Sequence, residues 1–198
     1  PWKNEEFDLV ITNPPYVGHK LLHTEYIKLL QQKYKEVFEN KSDLSFCFVA
    51  LAQKLLKKNG TIAFFTSRYF LEAYSSAKLR AFLLKHFTFQ HIIDFYGVRI
   101  LKGIGIDSLI FVARNHPPSK KDTIEVKKAV FENRKKASSE KLTQSLLTGQ
   151  DELYFQQFSF PHRYLNATSF HLISEEERAL VEKIEKASFI MLSDILED

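Results

Sequence analysis

Cysteine is nearly absent from this 198-residue chain, Cys47 being its single representative. That excludes an intrachain disulfide and a cysteine-rich zinc site, so no metal centre is expected, and it suits a reducing cytoplasm. An apolar run long enough to cross a membrane and a signal peptide are lacking as well, so no membrane partner is expected. The chain opens at Pro1-Trp2-Lys3 without methionine and directly ahead of an apolar run, as expected of a piece cut from something longer. Gly103-Ile104-Gly105 lacks the third spaced glycine and the following helix that a dinucleotide fingerprint needs, so it reads as a connection between two strands. A nuclease pattern is rejected on context: Asp107 and Glu125-Val126-Lys127 have suitable residue types on unsuitable strands.

What is present begins with a net charge of +4 and a pI near 9.0, which fits an anionic partner such as DNA without singling one out. The length suits one domain with a sizeable core plus an appendage.

The informative stretch is Phe7-Asp8-Leu9-Val10-Ile11-Thr12-Asn13-Pro14-Pro15-Tyr16. Leu9 to Ile11 has the apolar, branched character of a buried strand, and the paired prolines must end it because neither can donate to a sheet ladder. In open α/β sheets the carboxyl ends of strands are where ligands bind, so this rigid loop is a candidate site. Asn13 offers a side-chain carbonyl, while Pro14 and Pro15 offer backbone carbonyls held by locked φ angles. Two acceptors close together suit an NH₂ group. If both hydrogens of an exocyclic amine are held, the nitrogen lone pair leaves conjugation and faces an incoming electrophile. Tyr16 adds a flat face for a planar base, worth about 1–3 kcal/mol, and a duplex base reaches such a face only by leaving its stack.

Further along, Leu21 to Phe38 has a helix-like pattern. Asp43 caps a helix in which Leu44, Phe48, Leu51 and Leu55 recur, ending at Asn59-Gly60. Cys47 lies within it as a small hydrophobe. Thr61 to Thr66 reads as a strand leading to Ser67-Arg68-Tyr69-Phe70 at the same sheet edge, where Arg68 and Tyr69 could face substrate or DNA. Ala77 to His86 is an amphipathic helix, and Phe89 to Tyr96 and Ile106 to Ala113 are strands. From Asn115 the composition shifts: a linker at His116 to Lys121, an exposed strand at Thr123 to Val130, and helices at Ser138 to Leu147 and Ser174 to Lys186. The last helix opens on Ser174-Glu175-Glu176-Glu177 as a capping box. Leu153 to Phe160 is aromatic through packing.

Asn13-Pro14-Pro15-Tyr16 after an apolar strand resembles the catalytic motif of adenine-N6 DNA methyltransferases. Asp43-Leu44 through Leu55 to Gly60, Thr61 to Ser67 and Leu79 to Leu84 resemble the methylase region of type IIG restriction–modification enzymes. The likeness covers roughly residues 5–115. It implies a Rossmann-like, S-adenosylmethionine-dependent methyltransferase sheet in its C-terminal half, with a mixed, partly helical extension. Residues 1–115 would belong to the catalytic domain and 116–198 to a linker and extension leading toward a target-recognition domain.

The resemblance also implies roles. Asn13, Pro14, Pro15 and Tyr16 would act on a flipped adenine of double-stranded DNA, and His19, Lys20 and Arg68 are possible DNA contacts. The family's second base-stacking aromatic falls by alignment near Ala113; Phe111, two residues earlier on the same strand face, is the substitute candidate. Cofactor binding in the family rests on a glycine-rich loop that is absent ahead of Phe7, so these residues are expected to bind cofactor poorly without the rest of a parent polypeptide. Calorimetry showing micromolar cofactor binding by the isolated chain would contradict this. The same loop chemistry would also serve ribosomal-RNA guanine or protein-glutamine methylation, and a non-catalytic DNA-binding module is the reading from another class.

Overall fold

The computed structural model describes residues 6–98, 100–101, 105–130, 138–150 and 152–187. Gly103 and the segment from Met191 onward lie outside them. Six strands form one sheet: β1 (Phe7–Thr12), β2 (Leu56–Ser67), β3 (Thr88–Asp94), β4 (Ser108–Arg114), β5 (Thr123–Ala129) and β6 (Phe155–Pro161), in the order β1-β2-β4-β3-β5-β6. β1 pairs with β2 and β3 with β5 in parallel, whereas β4 runs antiparallel to both β2 and β3, and β6 antiparallel to β5. The carboxyl ends of β1, β2, β3 and β5 therefore share one edge with the start of β4. The described residues also form helices α1 (Thr24–Lys33), α2 (Ser45–Leu55), α3 (Ala77–His86), α4 (Ser139–Thr148) and α5 (Glu175–Ala187), with short 3₁₀ turns at His19–Leu21, Arg68–Leu71, Tyr74–Ser76 and His162–Tyr164.

α3 has the bounds expected from its spacing, burying Leu79, Phe82 and Leu83. α5 begins with the expected reciprocal cap: Ser174 Oγ accepts from the Glu177 amide at 3.2 Å, and Glu177 Oε2 accepts from the Ser174 amide at 2.7 Å. The N-cap of α2 falls on Leu44, one residue later than expected and without a side-chain cap, while the Asp43 carboxylate accepts from the Ser45 amide at 2.8 Å. Cys47 is buried, and burial pushes its thiol up to about 12, so it is a hydrophobe and not a nucleophile.

Several expectations are corrected. β1 is an edge strand, not a buried one: only its β2 side is paired among the described residues, and Leu9 and Ile11 are 51% and 73% exposed. An apolar run reads the same in the middle of a sheet and at its margin, so neighbours decide. Asn59-Gly60 does not end α2, which stops at Leu55; it forms an irregularity inside β2, where the register jumps from Phe7↔Leu56 to Leu9↔Thr61. Asn59 has φ 66°, and a Cβ on Gly60 would stand 3.0 Å from the carbonyl oxygens of Lys57 and Phe7, so the close pass of β1 requires glycine. β5 is not an exposed strand: it is paired on both sides, with β3 and β6, and Ile124, Val126 and Ala129 are buried. β5 and β6 lie in the same sheet as β1 to β4.

The main core is aromatic. Phe64 and Phe111 are cross-strand partners stacked at 5.3 Å, and Phe70 and Phe89 meet Phe111 edge-on at 6.0 and 5.3 Å. Phe111 is 1% exposed, which removes it from the base-stacking role assigned to it. Ala113, two residues on, is buried as well, so that strand face lies in the core.

Two histidines give the fold a pH dependence. Partly buried His86 and buried His162 each have an enclosed Nε2 without a hydrogen-bond partner among the described residues, and desolvation holds both below the ordinary 6.5. Unfolded chains take up protons that the folded protein refuses, so stability is full above about pH 6.5 and is lost as pH falls below it. Asp94, raised from 3.8 by burial, acts with the opposite sign at more acid pH. The melting temperature is expected to fall between about pH 7.5 and 5.5, less steeply in His162→Phe. Equal slopes in calorimetry would remove His162 from the explanation.

Candidate active site

The loop after β1 is stitched to the start of α2: the Leu44 amide donates to the Val17 carbonyl at 3.0 Å, and Gly18 and Asp43 form an antiparallel bridge. Asn13 and Pro15 are exposed, Pro14 is buried and Tyr16 is half-buried. The Tyr16 hydroxyl lies 2.6 Å from Asn13 Oδ1 and 3.0 Å from the Phe65 carbonyl oxygen of β2. Burial, and then the Asp43 carboxylate, push this phenol up to about 12. It therefore stays protonated at neutral pH and works as a donor, not as a base.

That donation has a consequence for Asn13. A carboxamide oxygen has two lone pairs, so Oδ1 can accept from Tyr16 on one and keep the other for an incoming N–H. The phenol also fixes which end of the carboxamide faces it.

Beside Tyr16 lies a cavity of about 430 Å³. Its walls come from the start of α2 (Asp43 to Phe46), the end of β2 and the turn after it (Thr66 to Phe70), and residues 105–107 ahead of β4. The Arg68 amide donates to the Asp107 carbonyl at 2.9 Å, closing one side. This is the edge at which the sequence placed a site.

Arg68 is not free to meet an anion. Its Nε bonds both carboxylate oxygens of Asp94 at 3.2 and 3.3 Å, its Nη2 bonds Glu72 at 3.2 Å, and its guanidinium covers the Tyr96 ring at 4.9 Å. The expected DNA contact is thus a wall strut with its charge compensated. A cavity lined by Tyr16, Phe46, Tyr69 and Phe70, with Arg68 already paired and Asp43 and Asp107 on its wall, suits a neutral planar group better than a phosphate. His19 and Lys20 sit outside the cavity walls on the short turn His19–Leu21, where Lys20 is exposed.

One contributor was not singled out for the site from sequence. Asp94 at the end of β3 is buried and holds Arg68; a lone acid at a strand end signals this only once its partner is known. Tyr69, offered by the sequence beside Arg68, stands on the cavity wall and is 64% exposed, whereas Phe46 and Phe70 are buried.

Whether these residues also fit S-adenosylmethionine can be read from the glycines. A Cβ on Gly18 or Gly105 would meet nothing within 4 Å, and on Gly60 it would meet this chain's own backbone. Gly60 is thus committed to the fold, whereas Gly105 leaves open space on the cavity wall that a ligand could approach.

Sheet order, strand directions and the proline loop at the end of β1 define an α/β methyltransferase sheet. Solved structures agree on the fold. The type IIG restriction endonuclease BpuSI superposes with a TM-score of 0.60 at 20% identity, over 90% of this chain and 22% of that one. The M protein of the type I restriction enzyme EcoKI gives 0.55 at 13% identity, over 91% and 48%. The chain belongs to the Eco57I restriction-modification methylase family, which matches residues 2–100. Type II methyltransferase M.BstVI of Geobacillus stearothermophilus is 31% identical over 91 residues, 46% of this chain and 16% of that protein. The type II restriction enzyme and methyltransferase RM.Eco57I of Escherichia coli is 24% identical over 102 residues, 50% of this chain and 10% of that protein. The match thus spans a small part of these relatives' length. Among the described residues no helix is long and apolar enough to cross a membrane.

Proposed function

We propose that this chain carries the amine-binding part of a DNA methyltransferase that methylates adenine at N6, with S-adenosylmethionine as donor. The observation that carries the reading is the Tyr16–Asn13 hydrogen bond beside an open cavity. A flipped adenine would stack on the Tyr16 ring and present its exocyclic amine to the free lone pair of Asn13 Oδ1 and to the Pro14 carbonyl. Gripping both hydrogens frees the nitrogen lone pair toward an electrophilic methyl group. The net positive charge, with His19 and Lys20 on the loop that follows the motif, would meet the phosphates outside the cavity. Cofactor contacts would come mainly from parts of the polypeptide outside these residues, and residues 116–198 would lead toward target recognition. Cytoplasmic location follows from DNA as the partner.

The complete gene product, incubated with methyl-tritiated cofactor, is expected to label duplex DNA as N6-methyladenine and to leave ribosomal RNA and release factor unlabelled. Label in either of the latter, or in cytosine, overturns the assignment.

A further inference from the structure

Arg80, on the buried side of α3, is 0% exposed and among the bulkiest fully enclosed side chains. A buried guanidinium is ordinarily matched by a carboxylate. Here every hydrogen bond it makes among the described residues goes to a backbone carbonyl. Nη1 donates to Phe70 at 2.6 Å and to Ala73 at 2.8 Å; Nε donates to Ala167 at 2.8 Å and Nη2 to Thr168 at 2.7 Å. One planar fork therefore joins two segments, and the second lies 87 and 88 residues further along the chain.

The first segment follows directly from the cavity wall formed by Arg68, Tyr69 and Phe70. The second is shaped in advance, because Asn166 Oδ1 accepts from the amides of Thr168 and Ser169 at 2.9 and 3.1 Å and so turns the chain. Two further links run in parallel with the fork. The Phe170 amide donates to the Leu71 carbonyl at 2.7 Å, and the Phe70 and Phe170 rings meet edge-on at 6.1 Å. We infer that Arg80 is a positioning residue that locks the cavity wall at 68–73 to the segment 166–170, so that the two move as one unit. Lysine cannot substitute: a compact ammonium has three donors on one atom and cannot span four carbonyls in two directions.

Hydrogen exchange on the complete gene product tests this without reference to activity. In Arg80→Lys, amides of 70–73 and 168–172 are expected to exchange about tenfold faster together, while β2 and β4 keep their protection. Loosening of one segment alone, or an equal rise throughout the sheet, overturns the inference. Should that variant fail to fold, the unmutated protein in mild urea decides: both segments are expected to open at one midpoint, and two separate midpoints overturn the lock. A kinetic arm rests on the methyltransferase reading. There Arg80→Lys lowers kcat about tenfold and leaves KM for DNA within about threefold, as expected of a displaced wall and not of a lost phosphate contact. If no methylation occurs with any protein, that reading fails while the exchange result stands on its own; a kcat unchanged in an active enzyme overturns the link from lock to cavity.

Discussion

Asn13→Ala is expected to lower methyl transfer by about 10²–10³-fold, the usual cost of deleting one preorganised polar group aimed at the reacting centre. Asn13 is exposed and its recorded partner is a phenol that has a second acceptor in the Phe65 carbonyl, so the substitution leaves the fold intact. DNA affinity should hold, because His19 and Lys20, the residues proposed to meet phosphate, lie outside the cavity walls. Asn13→Asp keeps an oxygen acceptor and should retain more activity than alanine. Tyr16→Phe keeps the stacking ring and removes the bond that orients the carboxamide, a loss of about 1 kcal/mol or several-fold in rate. Single-turnover kinetics on the complete gene product separate these cases. Methylation by Asn13→Ala at the unmutated rate would make the proline loop a structural turn and favour a DNA-binding module.

Phe111→Ala carries the second large effect, on stability. Phe111 is enclosed by Phe64, Phe70 and Phe89, and truncation there leaves a cavity that the surrounding strands cannot close. A loss of about 3–5 kcal/mol is expected from such a change, with Phe111→Leu recovering much of it. Tyr69→Ala, on the open wall of the cavity, should change stability by less than about 0.5 kcal/mol. Urea denaturation distinguishes the two positions. A Phe111→Ala protein of normal stability with weakened DNA binding would return Phe111 to the role of a base-stacking aromatic.

Local chemistry accounts for what could be read along the chain. The proline pair had to stop a strand, Ser174 and Glu177 could cap each other within one turn, and the spacing of Leu79, Phe82 and Leu83 defined a buried helix face. Each of these depends on residues within a few positions. Readings failed where the deciding group was distant. Arg68 looked free until Asp94, 26 residues away, was seen to hold it. Gly60 looked like a helix stop until the Phe7 carbonyl was found against it.

The sequence by itself thus determined the proline loop, its polar amide and aromatic ring, and the alternation of helices and strands that leads to a methyltransferase sheet. Tertiary structure alone decided that Leu9 and Ile11 of β1 are exposed among the described residues, that Phe111 is core, that Arg68 is a strut, and that Arg80 ties the cavity wall to a segment near the carboxyl end. The reason is physical: backbone propensity and capping act over a few bonds and are written in neighbouring residues. Burial and charge pairing depend on which remote surfaces the folded sheet brings together.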